Sequence, residues 1–168
     1  GWGTPIAHYF DATKIRVVNR ALGGRSSRTF RTEGLWDQAL QDIKAGDYVL
    51  IQFGHNDVGS LNTGRARGSL PGIGDNTPIL CTLVPRNNWQ DGRVIRSTDD
   101  YAAWTRAVAQ AAGVPLIDLN ETVALLYEKS GADRVSRDYF YADRTHTSPA
   151  GAQLTALTVV EGLRRLPG

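Results

Sequence analysis

The chain has one cysteine in 168 residues, so no disulfide can form within it. Cys81 lies in the apolar run Ile79-Leu80-Cys81-Thr82-Leu83-Val84 and reads as an inert core residue. As a nucleophile it lacks the exposed, electropositive setting that activates a thiol. Histidine is scarce too: there are three, in scattered settings. With no Cys/His cluster, no structural metal is expected. No apolar run approaches the length of a membrane span, so no membrane partner is expected. No signal-peptide pattern is visible, though a processed chain would have lost one. Internal repeats and low-complexity tracts are absent. Charge of either sign is not in excess: 19 basic and 17 acidic residues leave a formal net charge of +2, which implies no strong electrostatic partner. Neither a sustained basic helix nor aromatic-basic interleaving occurs, which argues against a nucleic-acid partner.

What is present is an alternation of short apolar strands and amphipathic helices. Its length suits one domain, residues 1–168, with a real core. Trp2 to Phe10 reads as a short helix and Ile15-Arg16-Val17-Val18-Asn19 as a strand. Gly34 to Lys44 has helical spacing at Leu35, Trp36, Ala39, Leu40 and Ile43. Asp47 to Phe53 and Ile79 to Val84 read as strands. Ser97 is a candidate N-cap for a helix to about Ala112, with Asp99 and Asp100 favourable in its first turn. Tyr101, Trp104, Val108 and Ala111 are its expected buried stripe. Val114 to Leu119 is the next strand, Glu121 to Lys129 the next helix, and Ser148 to Leu166 the last. This alternation predicts an α/β fold, a three-layer sandwich with a parallel sheet.

Three stretches carry the candidate chemistry. Asp143-Arg144-Thr145-His146-Thr147-Ser148-Pro149 puts a carboxylate and an imidazole three residues apart before a helix start, with Ser148 as N-cap and Pro149 at the first helical position. Such a turn lets the carboxylate take the Nδ1–H and leaves Nε2 as a base, as in a hydrolase triad. The alternative is a plain helix cap with a surface histidine. Leu50-Ile51-Gln52-Phe53-Gly54-His55-Asn56-Asp57 is a strand ending in a polar loop, and ligands of parallel α/β sheets sit beyond such carboxyl ends. Asn56 is a candidate side-chain oxyanion donor; a loop-stabilising Asx bond is the alternative, open to Asp57 as well. His55 reads as loop support. Ala21-Leu22-Gly23-Gly24-Arg25-Ser26-Ser27 has glycines that let a backbone N–H approach the same site, or that simply make a turn.

In this order the three stretches resemble the SGNH (GDSL-type) hydrolases, and within them the rhamnogalacturonan acetylesterase-like branch. Gly-Gly-Arg-Ser-Ser-Arg is similar to that branch's second block, Gly-His-Asn-Asp to its third, and Asp-x-x-His-Thr-Ser-Pro-Ala-Gly-Ala to its fifth. The likeness covers nearly the whole chain. It implies a flavodoxin-like SGNH hydrolase fold and a serine esterase that removes O-acetyl groups from carbohydrate, with a pectin-type polysaccharide as the expected substrate. It also implies no cofactor and a secreted or periplasmic location. His146 is then the general base and Asp143 its orienter, with Asp138 as a swapped partner. Gly24 is the backbone oxyanion donor, with Gly23 as the fallback, and Asn56 the side-chain donor. Trp89, Arg86 and Arg25 are candidate substrate contacts: Trp89 can stack on a sugar ring and Arg86 reach a uronate, or Trp89 can merely anchor its loop. The arginines at 25, 28, 31, 65 and 67 are either solvated charge or contacts to an acidic sugar polymer. Ser26, Ser27 and Ser148 read as turn or cap residues.

Two departures stand beside the likeness. The family's nucleophile sits in a Gly-Asp-Ser motif on a first strand, ahead of the part matched by Gly1-Trp2-Gly3. No such motif occurs here; Gly74-Asp75-Asn76 comes nearest. Without a nucleophile the base has nothing to activate. The second is the stretch from Val58 to Pro78, which joins two expected parallel strands yet has no helical periodicity and carries Pro71 and Pro78 as breakers. A crossover helix is expected there, so residues are expected to be missing around Asn76 to Pro78; a naturally shortened variant is the alternative. The rival functions are a non-catalytic carbohydrate-binding or remnant domain, and an esterase or lipase for small acyl esters.

Overall fold

The structure is a computed structural model that describes residues 1–57, 78–96 and 101–166. The Arg65/Arg67 cluster, the Gly74-Asp75-Asn76 tripeptide, the connection after Asp57 and the Ser97 cap with Asp99 and Asp100 lie outside the described residues. The chain clusters into two compact units: Gly1–Asn19, Val84–Thr98 and Ile117–Gly168 form one, Arg20–Leu83 and Asp99–Leu116 the other.

The second of these units holds the parallel sheet. Helix α1 (Ser27–Thr32) starts at Ser26, whose hydroxyl accepts from Thr29 N–H while Thr29 reaches back to Ser26 N–H, a reciprocal cap. Gly34, at φ 74°, takes the left-handed conformation between α1 and α2 (Leu35–Asp42) that other residues resist. Strand β1 (Val49–Ile51) pairs in parallel with β2 (Pro78–Cys81), Leu50 opposite Ile79. Pro78 opens its strand, where its missing N–H costs least. The sheet order is β1-β2-β5, with β5 being Leu116–Ile117, and Leu80 N–H donates to Pro115 C=O. Ile79, Cys81, Phe30, Trp36 and Ala39 are buried, and Phe30 meets Phe53 edge-on at 5.6 Å.

Helix α3 (Tyr101–Ala112) is present, but not with the expected buried stripe. Ala102 and Ala109 are buried, whereas Trp104 is 58% and Val108 57% exposed. Small side chains set the inward face: alanines permit close approach of the helix, and the hydrophobic count alone pointed the wrong way.

The other unit is mostly helical. The expected short first helix is present as a 3₁₀ helix (Pro5–Tyr9). Ile15 to Asn19 is not a strand: Ile15 and Val18 are each 49% exposed, and the segment has no ladder partner among the described residues. Apolar alternation makes a strand only where a neighbour takes the backbone N–H and C=O groups. A hairpin absent from the sequence reading joins β3 (Trp89–Gln90) to β4 (Arg93–Val94). Its turn residues Asp91 and Gly92 both have positive φ, 50° and 75°, as a two-residue type I′ turn requires.

Helix α4 (Leu119–Ser130) begins at Asp118, which caps Glu121 N–H. Helix α5 (Ala132–Arg134) runs into a π-helical turn (Val135–Tyr139), and α6 (Pro149–Arg164) closes the unit. Their core comprises Leu119, Val123, Tyr127, Val135, Ala156 and Val159; a fully buried Val or Leu contributes roughly 1.5–3 kcal/mol. Arg96 grips Glu121 (2.9 Å) and Glu128 and ties the chain just after the hairpin to α4. Gly151 lets α6 lie on the chain before it, since a Cβ there would stand 2.2 Å from the Tyr139 carbonyl oxygen.

Candidate active site

Asp143 and His146 meet as the spacing predicts. One Asp143 oxygen accepts Thr145 N–H (2.7 Å) and His146 N–H (2.6 Å); the other lies 2.7 Å from His146 Nδ1. The first oxygen closes the turn that brings the ring to the second. The two backbone N–H groups, His146's first and then Thr145's, followed by the imidazole, hold the Asp143 carboxyl at about 2, below its usual 3.8. A carboxylate can only accept, so Nδ1 carries the proton and Nε2 presents its lone pair. The ring is 77% exposed.

The tip of this loop is open but its base is tied. Tyr141 N–H donates to His146 C=O (3.1 Å), Ser148 N–H to Tyr139 C=O (2.9 Å), and Phe140 bridges Thr147. Ser148 accepts from Gly151 N–H as the α6 cap and donates to Asp138 C=O (2.6 Å). Asp138 is not the orienter: its carboxylate pairs with Arg137 (2.9 Å) and Arg134 (3.5 Å). A contact the sequence did not reveal comes from Asn87, whose N–H donates to Arg144 C=O (2.9 Å) and whose amide donates to Ser136 (2.9 Å). Its amide oxygen accepts from Trp89 Nε1–H (2.7 Å). Trp89 is thus fastened by its indole nitrogen, in keeping with an anchoring role, while Arg86 is exposed. The one available signal for Asn87 was its place two residues before a tryptophan and four before an Asp-Gly turn.

The Gly24 and Asn56 loops belong to the other unit. Gly24 has φ 76° and open space about its Cα. The Arg25 guanidinium pairs with Glu33 (2.9 Å) and donates to Gly23 C=O (3.0 Å). Asn56 Nδ2 donates to Arg25 C=O at 3.3 Å, which uses one of its two N–H bonds. Asp57 makes the Asx-type bond foreseen for this loop, accepting Gly54 N–H (3.0 Å), and also reaches α1 at Ser27 N–H (2.8 Å). Gly54, at φ 138°, passes so near Leu83 that a Cβ would stand 3.1 Å from its Cβ. Ser26 and Ser27 serve as cap and first helical residue, as the sequence suggested. Cys81 is buried, and burial raises its thiol to about 12, which leaves it protonated and unreactive near neutral pH.

The described residues contain no group of three or more His, Cys, Asp or Glu arranged to hold a metal ion. No described helix is long and apolar enough to cross a membrane.

Comparison with known proteins follows the same line. The profile of the GDSL-like lipase/acylhydrolase family matches residues 1–154. The rhamnogalacturonan acetylesterase of Emericella nidulans is 30% identical, over 93% of this chain and 75% of its own length. The rhamnogalacturonan acetylesterase RhgT of Bacillus subtilis is 31% identical, over 99% of this chain and 81% of its own. Both alignments are longer than the chain itself, so these relatives carry residues that it lacks within the matched span. The crystal structure of Bacillus subtilis YxiM superposes with a TM-score of 0.83 at 30% identity, over 98% of this chain and 50% of that one.

Proposed function

We propose a carbohydrate O-deacetylase, starting from one premise: the chain belongs to the GDSL-like lipase/acylhydrolase family, with the α/β fold of the SGNH hydrolases and the rhamnogalacturonan acetylesterases among its relatives. The observation that carries the proposal is the Asp143–His146 pair, in which a carboxylate at 2.7 Å fixes the tautomer that exposes Nε2. In the proposed reaction a serine attacks the acetyl carbonyl. His146 takes the serine proton at Nε2 and returns it to the departing sugar hydroxyl, and Asp143 stabilises the imidazolium between those steps. Gly24 N–H and Asn56 donate to the tetrahedral oxyanion. Water, activated by the same histidine, then releases acetate and frees the serine. Arg25, Arg86 and Trp89 are proposed to meet the polymer, and a pectin-type chain that cannot enter a cell implies a secreted or periplasmic enzyme.

The serine is the demanding part, because no Gly-Asp-Ser motif lies within the 168 residues. The second reading is a carbohydrate-binding relative without a nucleophile. Protein made from the complete reading frame separates the two. The esterase reading expects acetate release from acetylated rhamnogalacturonan and a covalent adduct with a serine-directed fluorophosphonate. Polymer binding with neither acetate nor adduct would establish the second reading. Turnover of p-nitrophenyl acetate but not of polymer would reassign the protein to small esters.

A further inference from the structure

We infer that Asp57 is a positioning residue that couples the two oxyanion-donor loops, an inference that rests on the roles proposed for Gly24 and Asn56. An oxyanion hole works only if its donors are fixed before charge develops, within a fraction of an ångström. Here the donors stand on separate loops, one leading into α1 and one following β1, and neither lies within a regular element. The Asp57 side chain joins them. One oxygen accepts Ser27 N–H (2.8 Å) and the Ser27 hydroxyl, across 30 residues of sequence. The other accepts Gly54 N–H (3.0 Å) inside its own loop. Its carbonyl accepts the Tyr101 hydroxyl (2.8 Å) from α3. The neighbouring Asn56 adds a cross-loop bond to Arg25 C=O, next to Gly24. Displacing Ser27 therefore displaces the Arg25 carbonyl and with it the Asn56 amide.

Asp57 is 8% exposed, and no Lys or Arg among the described residues pairs with it. Among the described residues the carboxyl is held by N–H and O–H donors from two separate loops, so its directional bonds fix the geometry of both. An amide cannot copy it. Asparagine offers a single acceptor atom, and its NH₂ would face the N–H of either Ser27 or Gly54.

The test is a double-mutant cycle on protein from the complete reading frame, following acetate release. Asn56→Ala should lower kcat by about 10²–10³-fold. Asp57→Asn should lower kcat by roughly 10–100-fold with KM within about threefold, because only the transition state is affected. Combining them should cost clearly less than the product of the two separate losses, since part of the Asp57 effect acts through the Asn56 amide. Multiplying losses, or Asp57→Asn at full rate beside a slow Asn56→Ala, would overturn the coupling and leave the site reading intact. Asn56→Ala at full rate would overturn the site reading and the inference with it. If Asp57→Asn does not fold, Ser27→Ala removes a single bond to the same carboxyl and is expected to lower kcat several-fold with the same non-additivity; an unchanged kcat would refute the coupling.

Discussion

The turn bearing His146 and the loops bearing Gly24 and Asn56 solve the same problem of fixing a side chain in opposite ways. In the first, one carboxylate three residues upstream holds both the backbone and the ring, and the turn stands exposed. In the second, a buried carboxyl group ties segments 30 residues apart, and the fixed geometry depends on α1, β1 and α3 together. Local order of the first kind survives small shifts in the surrounding fold. Order of the second kind is only as good as the packing around it.

The comparison can be broken most forcefully at the two donors of chemistry. His146→Ala should reduce acetate release by on the order of 10⁴–10⁶-fold, well beyond the Asn56→Ala loss, because no other proposed group carries the proton whereas the Gly24 N–H still serves the oxyanion when Asn56 is lost. Equal losses would show that the two regions are not separate in function. Next comes Gly151→Ala. A Cβ 2.2 Å from the Tyr139 carbonyl must push α6 off the chain that leads into the His146 turn, at a cost of about 1–3 kcal/mol or more. Urea unfolding should show it, and a wild-type midpoint would mean the close approach is not maintained in solution.

A gentler probe is acid. Asp143 is held at about 2 when folded against 3.8 when free, so its contribution is complete above roughly pH 4 and disappears as the pH falls towards 2. The Asp143 carboxyl carbon, followed by NMR, should titrate near 2; a midpoint near 3.8 would mean that the turn's hydrogen bonds do not persist. Smallest of all is Glu33→Ala. It removes a partly exposed pair with Arg25 at 2.9 Å and should change stability by about 0–1 kcal/mol. A larger loss would show that the Gly24 loop depends on that pair as well as on Asp57.

What was legible follows the same division. The Asp143–His146 contact, the Ser148 cap with Pro149 after it, and the helices at α2, α4 and α6 were readable because each rests on residues within a turn or two of one another. The β1–β2 parallel pair was readable as two apolar runs. The supposed strand at Ile15 to Asn19 misled because alternation does not disclose whether a pairing partner exists. On α3 the large apolar side chains suggested the wrong face, since a helix buries whichever side its neighbours can approach, and there the alanines allow it. The Asp91-Gly92 turn carries a local signal of its own, an Asp-Gly pair that favours positive φ at both positions.

The amino-acid sequence by itself determined the class of elements, the family blocks and the Asp143–His146 pair, because backbone caps, turns and a three-residue spacing are short-range matters of sterics and hydrogen bonding. Only the tertiary structure decided that Asp57 reaches Ser27 and that Asn87 supports Arg144. Those choices depend on which distant segments are packed within 3 Å of one another, and loop closure over tens of residues leaves no periodicity in the chain from which to read them.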